Sequence, residues 1–169
     1  MEHSRLRHFS QENAVYFITS NVQRREEHFR DFACARLLEG TLWKNVALKN
    51  FDLFAYVIMP DHLHMMVRVN TVPLSEILRS VKTNASREIN RYLCGRGGAT
   101  PPTNATTPTE QMFQWQEGFH DHMIRDEKDF LYHLEYLKAN PVKAGLVEKT
   151  EDYPFLFIDE NALARVFGY

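Results

Sequence analysis

The sequence predicts an α+β fold, and three observations carry the prediction. Runs of β-branched and aromatic residues lack any helical period, as strands do. Two longer segments repeat apolar residues every three or four positions, as helices do. A Pro-Asp breaker joins two of the apolar runs so closely that they must fold back on each other.

The elements follow in order. Ala14 to Val22 (AVYFITSNV) reads as a strand, followed by the loop Gln23-Arg-Arg-Glu-Glu. From about Asp31 to Asn50 the residues Cys34, Leu37, Leu38, Leu42 and Val46 form a helical stripe that tolerates Gly40. Phe51 to Met59 is a second strand, and His62 to Val69 a third, with Pro60-Asp61 as the turn between them. A second helix carries Leu74, Ile77, Leu78, Val81, Ala85, Ile89 and Tyr92 on one stripe, with Pro73 at its start. Gly95 to Glu110 is rich in Gly, Pro, Thr and Asn and predicts a mobile loop. Gln111 to Gln116 is the expected fourth strand. Asp126 caps a last helix that should end at Asn140, before Pro141, and the tail is a short helical or turn segment. The first six elements make the ferredoxin-like βαββαβ core, with an added C-terminal helix.

Bulk properties set outer limits. A chain of 169 residues suits one domain, expected here to span 1–169. Its two cysteines, Cys34 and Cys94, make neither a disulfide framework nor a metal cluster. No run of eighteen apolar residues and no apolar leader is present, so a cytoplasmic protein without a membrane span is the expectation. The net charge of −2 argues against bulk attraction to nucleic acid, although a local patch is open to it. Arg79, Lys82, Arg87 and Arg91 on the second helix are the candidate patch, a solvated helix surface being the plainer alternative.

The chemistry concentrates in histidines and one tyrosine. His62 and His64 are two apart on a predicted strand, so both leave the same face, opposite Leu63, Met65, Val67 and Val69. Two neutral imidazoles held side by side are half of a metal site. On the last helix the apolar stripe is Phe130, Leu134 and Leu137, and Tyr136 and Asn140 lie together off it, one turn apart. A second pair, His120 and His122, precedes that helix and competes for a metal. No Gly-rich phosphate loop, Ser-His-Asp arrangement or paired CxxC is present.

Three blocks of this sequence resemble one known family. Val57-Ile-Met-Pro-Asp-His-Leu-His-Met-Met-Val67 is similar to the HUH motif (histidine, hydrophobe, histidine) of REP-associated tyrosine transposases and their insertion-sequence relatives. Trp115 to Arg125 (WQEGFHDHMIR) and His133 to Val147 (HLEYLKANPVKAGLV) resemble the two blocks that follow it, and Tyr153-Pro-Phe155 a frequent closing element. The resemblance spans about 14 to 157 and implies a single-stranded DNA endonuclease and strand transferase. It assigns Tyr136 as nucleophile, His62 and His64 as metal ligands, and Asn140 as the residue that completes the metal site. The ion it implies is Mg²⁺, while two imidazole nitrogens and an amide oxygen suit Mn²⁺ chemically, and the substrate it implies is a hairpin or palindromic single strand. A free tyrosine hydroxyl titrates near ~10, so such a nucleophile needs a metal or base beside it, and His122 and His133 are the accessory candidates. Relatives work as monomers or as homodimers that exchange the tyrosine helix. Two other readings stand beside this one: a non-catalytic nucleic-acid-binding relative, and an unrelated metal hydrolase that uses the histidine pair and water.

Overall fold

The computed structural model describes residues 11–96 and 112–168. Its elements are β1 (Val15–Asn21), α1 (Phe32–Lys49), β2 (Asp52–Met59), β3 (His62–Arg68), α2 (Leu74–Arg96), β4 (His120–Met123), α3 (Glu127–Lys143), β5 (Leu156–Ile158) and α4 (Ala162–Phe167). The strands form one antiparallel sheet in the order β4-β1-β3-β2-β5. The first four strands have the ferredoxin-like arrangement expected from the element order, and β5 extends it at the β2 edge.

Alternation along the central strands divides the core into two layers. Tyr16, Ile18, Leu53, Tyr56, Ile58, Leu63, Met65 and Val67 face α1 and α2. Val15, Phe17, Phe54, Val57, Met59 and Met66 face α3 and α4. A sheet covered on both faces needs apolar residues at nearly every position, and β2 is buried along its length after Asp52. Two aspartates start the helices that flank it. The Asp31 carboxylate accepts from Ala33 N at 2.9 Å, and that of Asp126 from Asp129 N at 2.8 Å.

Four sequence expectations are corrected. The fourth strand is His120–Met123 rather than 111–116. Among the described residues, 112–116 contribute only an isolated bridge between Val22 and Trp115. The true strand, HDHM, is polar and mostly exposed, so no apolar alternation marks it. Secondly, α3 runs through Pro141 to Lys143. The proline gives up one bond, to the carbonyl a turn earlier, while Ala144 N still reaches Asn140 O at 2.9 Å and its ring is buried. Thirdly, Gly95 and Arg96 finish α2 instead of opening a loop, and the rest of the expected loop, 97–110, lies outside the described residues. Finally, the tail adds β5, anchored by Ile58 N donating to Phe155 O at 3.0 Å and the Tyr153 hydroxyl to Ile58 O at 2.6 Å.

The α3 layer rests on Phe130, which is fully buried and meets Phe54 and Phe167 edge-on at 6.1 and 5.7 Å. Phe130→Ala removes that wedge, and urea denaturation should show a loss of about 3–5 kcal/mol, whereas exposed Tyr132→Ala should change stability little.

Candidate active site

The site grows from the pairing of β1 with β3. Thr19 lies opposite His64, and Asn21 opposite His62. Facing residues share a side of the sheet, so both histidines project toward the α3 layer together with Phe17 and Thr19. His64 is 4% exposed and His62 half-buried.

Each imidazole is held from behind. The Thr19 hydroxyl meets His64 Nδ1 at 2.8 Å, and the Asp61 carboxylate accepts from His62 Nδ1 at 2.5 Å. Arg25 holds Asp61 in turn, Nε to carboxylate at 2.7 Å, from a left-handed backbone position at φ 58. With its proton at Nδ1, His62 presents the Nε2 lone pair to the front. That nitrogen lies 3.1 Å from His64 Nε2. Two imidazoles on one ion at ~2.1 Å sit about 3.0 Å apart at a right angle and about 3.4 Å apart at a tetrahedral angle, so the spacing fits a shared cation. Burial lowers the pKa of both rings. For His64 the neighbouring His62 and Arg25 add to burial and bring it down to about 3, while for His62 the Asp61 carboxylate opposes the fall. Both are therefore neutral at pH 7, as nitrogen ligands must be.

The Tyr136 ring comes from the third turn of α3 and meets His64 edge-on at 5.5 Å and Phe17 at 5.8 Å. It is 39% exposed, so it is packed on one side and open on the other. The open side belongs to a shallow, open cleft of about 540 Å³ along the outer face of α3 itself, lined by Lys128, Leu131, Tyr132, Glu135, Ala139 and Lys143 of that one helix. The Lys143 ammonium stands 5.9 Å from the Tyr136 ring centre.

The other sequence-predicted residues divide. Asn140 lies a turn beyond Tyr136 and makes no hydrogen bond to the histidine pair among the described residues. Its Nδ2 donates to Tyr136 O at 2.7 Å, which leaves the amide oxygen as the atom not engaged by the helix. His122 and His133 stack on each other at 4.5 Å and share Asp129; neither is hydrogen-bonded to the Tyr136 hydroxyl. His120 is exposed and takes no part in that group. Arg79, Arg87 and Arg91 are exposed on α2, across the sheet from the histidines, and Arg91 pairs with Glu88 at 2.6 Å. Lys82 is turned inward: its ammonium donates to Gln116 O at 2.9 Å and Gly118 O at 2.5 Å, and stands 5.7 Å from the Trp115 ring centre. Burial pushes it down to about 8, so it stays protonated at neutral pH. Sequence reasoning missed Phe17, Thr19, Arg25 and Asp129. Asp61 could have been found, because it adjoins His62 in the hairpin turn.

A family described as IS200-like transposase matches residues 10–129, which include the histidine pair and stop short of Tyr136. The chain belongs to the IS200-like transposase family. Members are DNA-cleaving enzymes, and a REP-associated tyrosine transposase of Escherichia coli is 25% identical over 90% of this chain and 81% of its own length. A candidate REP-associated tyrosine transposase of Haemophilus influenzae is 28% identical over 69% of this chain, and the match spans 64% of that relative. A solved REP-associated tyrosine transposase bound to a REP hairpin superposes with a TM-score of 0.68 at 25% identity, over 90% of this chain and 81% of that one. A Deinococcus radiodurans protein described as a transposase shares the fold, with a TM-score of 0.53 at 14% identity over 82% of this chain and 96% of that one. No helix among the described residues is long and apolar enough to cross a membrane.

The hydrogen bond from His62 to Asp61 fixes a tautomer that can be measured. In metal-free protein, ¹⁵N NMR should show His62 neutral with its proton on Nδ1, and Asp61→Ala should shift the proton population toward Nε2. An unchanged spectrum in that variant would mean that Asp61 does not orient the ring.

Proposed function

We propose that this chain cuts and rejoins single-stranded DNA with Tyr136 as nucleophile, working in the cytoplasm as one domain. The observation that carries the reading is the contact of Tyr136 with His64 at 5.5 Å within a single chain. For that reason we assign the tyrosine and the histidine pair of one chain to the same active site, whether the protein is a monomer or a homodimer. A hairpin or palindromic substrate is supported by the related transposase solved on a REP hairpin.

The donor set suits a divalent ion. His62 and His64 offer converging Nε2 atoms, and we assign the free amide oxygen of Asn140 as a third donor. Two nitrogens and an amide oxygen suit Mn²⁺ by donor chemistry, while Mg²⁺ is the ion the family resemblance implies; either would supply, when bound, polarisation of the scissile phosphate and relief of charge in the transition state.

The chain's own residues do the rest. The Tyr136 oxygen attacks phosphorus in line and the 3′ oxygen departs. The phenol loses a proton and the departing oxygen gains one, so the cut is neutral in protons. It leaves a 5′-phosphotyrosine and a free 3′-hydroxyl. Attack by a second 3′-hydroxyl on that linkage reverses the chemistry and frees the tyrosine, so strands are rejoined without an external energy source. Asp61 and Thr19 keep the imidazoles aimed, and Phe17 fixes the spacing between His64 and the tyrosine ring. In the cleft, Tyr132 is 67% exposed and offers a stacking surface for an unpaired base between Lys128 and Lys143. Arg79, Arg87 and Arg91, across the sheet, are assigned to the hairpin away from the cut.

The test uses 3′-labelled hairpin strands with Mn²⁺ and a denaturing protein gel. Wild type should give a labelled protein band that Tyr136→Phe and His62→Ala both lose. Metal-dependent cutting that persists in Tyr136→Phe would overturn the mechanism in favour of hydrolysis by water.

The two kinds of basic residue on α2 should separate in salt titrations. Arg87→Ala should lower the slope of log K against log salt by about 0.7–0.9. Lys82→Met should leave the slope unchanged and lower the melting temperature, because its ammonium serves the 116–118 turn. A loss of slope in Lys82→Met would return that lysine to the DNA surface.

A further inference from the structure

We propose a second divalent-metal site, separate from the His62–His64 pair, formed by His122 of β4 with Asp129 and His133 of α3, and suited to an ion of the Zn²⁺ class. One ligand atom from each of the three lies within 4.8 Å of the others. Asp129 and His133 are four apart on α3 and so project from one side of the helix, and the edge strand brings His122 over them. The Asp129 carboxylate is the hub. It accepts from His122 Nε2 at 2.9 Å, from Arg125 N at 3.0 Å, and lies 3.1 Å from His133 Nδ1. The imidazoles stack at 4.5 Å with 21° between their planes, which sets both nitrogens beside the same carboxylate.

The chemistry matches a transition ion better than a hard one. Two imidazole nitrogens and one carboxylate oxygen are the donors of an open tetrahedral site, with water in the fourth place. Mg²⁺ prefers an all-oxygen shell. Binding asks little of the rings. His122 moves its proton to the other ring nitrogen, as does His133, whose Nδ1 now donates to Asp129 O at 2.9 Å. That carbonyl keeps the helical N–H of His133 as its partner, so it is not orphaned. Half-burial of all three residues leaves room for a water ligand.

The placement gives the ion a task. It ties the edge strand β4 to the first turns of the helix that carries Tyr136. His133 also packs on Phe17 at 4.8 Å, and the same ring stacks on His64 at 5.3 Å. A metal here therefore stiffens the support of the tyrosine without touching substrate. The inference does not depend on the cutting reaction, and its test reads no DNA product.

The experiment is a titration of full-length protein with Zn²⁺ by calorimetry, and with Co²⁺ by visible absorption, in a His62→Ala/His64→Ala background. One equivalent should remain. Adding His122→Ala or Asp129→Asn should abolish it while the metal-free protein still unfolds in one cooperative transition, at a somewhat lower temperature for Asp129→Asn, which loses the carboxylate charge. Zn²⁺ at a hundredfold excess over its Kd should raise the melting temperature of the background protein by about 5–10 °C. Further substitution of His120 by Ala should leave the equivalent intact. Absence of binding in the background protein overturns the proposal. So does binding that survives both His122→Ala and Asp129→Asn, or that is lost with His120 instead.

Discussion

The register between β1 and β3 is the constraint on which the rest depends. Because side chains alternate with a period of two, the pairing of Thr19 with His64 decides which layer receives the histidines. A slip of one residue would turn His62 and His64 into the α1–α2 core and bring Leu63 and Met65 out under α3. The apolar pattern resists that slip, since Leu63, Met65 and Val67 are fully buried between the sheet and the two long helices. Packing on one face of β3 thus holds the chemistry of the other.

Burial of the histidine pair works in two directions. It costs hydration, and the low pKa of His64 measures how strongly its charged form is disfavoured. The same dry setting keeps the nitrogen lone pair unprotonated over the working pH range, which is what a ligand needs. The arrangement then requires each remaining ring nitrogen to have a partner, and Thr19 and Asp61 meet that need from the strand opposite and the hairpin turn. Arg25 closes the network on Asp61. An isolated His-x-His on a surface strand would lack every one of these supports.

Much of this was legible in the sequence where apolar periodicity carried the signal. The buried stripes of α1 and α2, the β2–β3 hairpin and the orientation of the His pair opposite Leu63 all follow from spacing. The fourth strand was not legible, because HDHM holds its place by pairing with Tyr16 to Thr19 and contributes little apolar surface. Nor was the continuation of α3 through Pro141, since the rule that a proline ends a helix carries less weight in a last turn with few bonds left to lose. Site partners supplied by another strand, such as Thr19 and Phe17, need the register before they can be named. Lys82 looked like its arginine neighbours, and only the fold of 116–118 beneath it distinguishes an internal anchor from a surface charge.

The modest net charge of −2 then has a structural reading. A protein that holds a strand by bulk attraction must be positive over a wide surface. Here several cations are tied internally: Arg25 to Asp61, Lys49 to Glu76, Arg68 and Arg165 to Asp52, and Lys82 to two carbonyls. Those near the tyrosine are few and placed, with Lys128 and Lys143 lining the same cleft as its ring. Screening limits such charges to about 8–10 Å at physiological salt, so under the proposed function they would act on phosphates already in the cleft and add little long-range pull. Selection of a substrate must then rest on shape and stacking more than on attraction. Under the proposed function, an unpaired base would lie on exposed Tyr132 beside Tyr136, whereas a rigid duplex would have to melt to reach it.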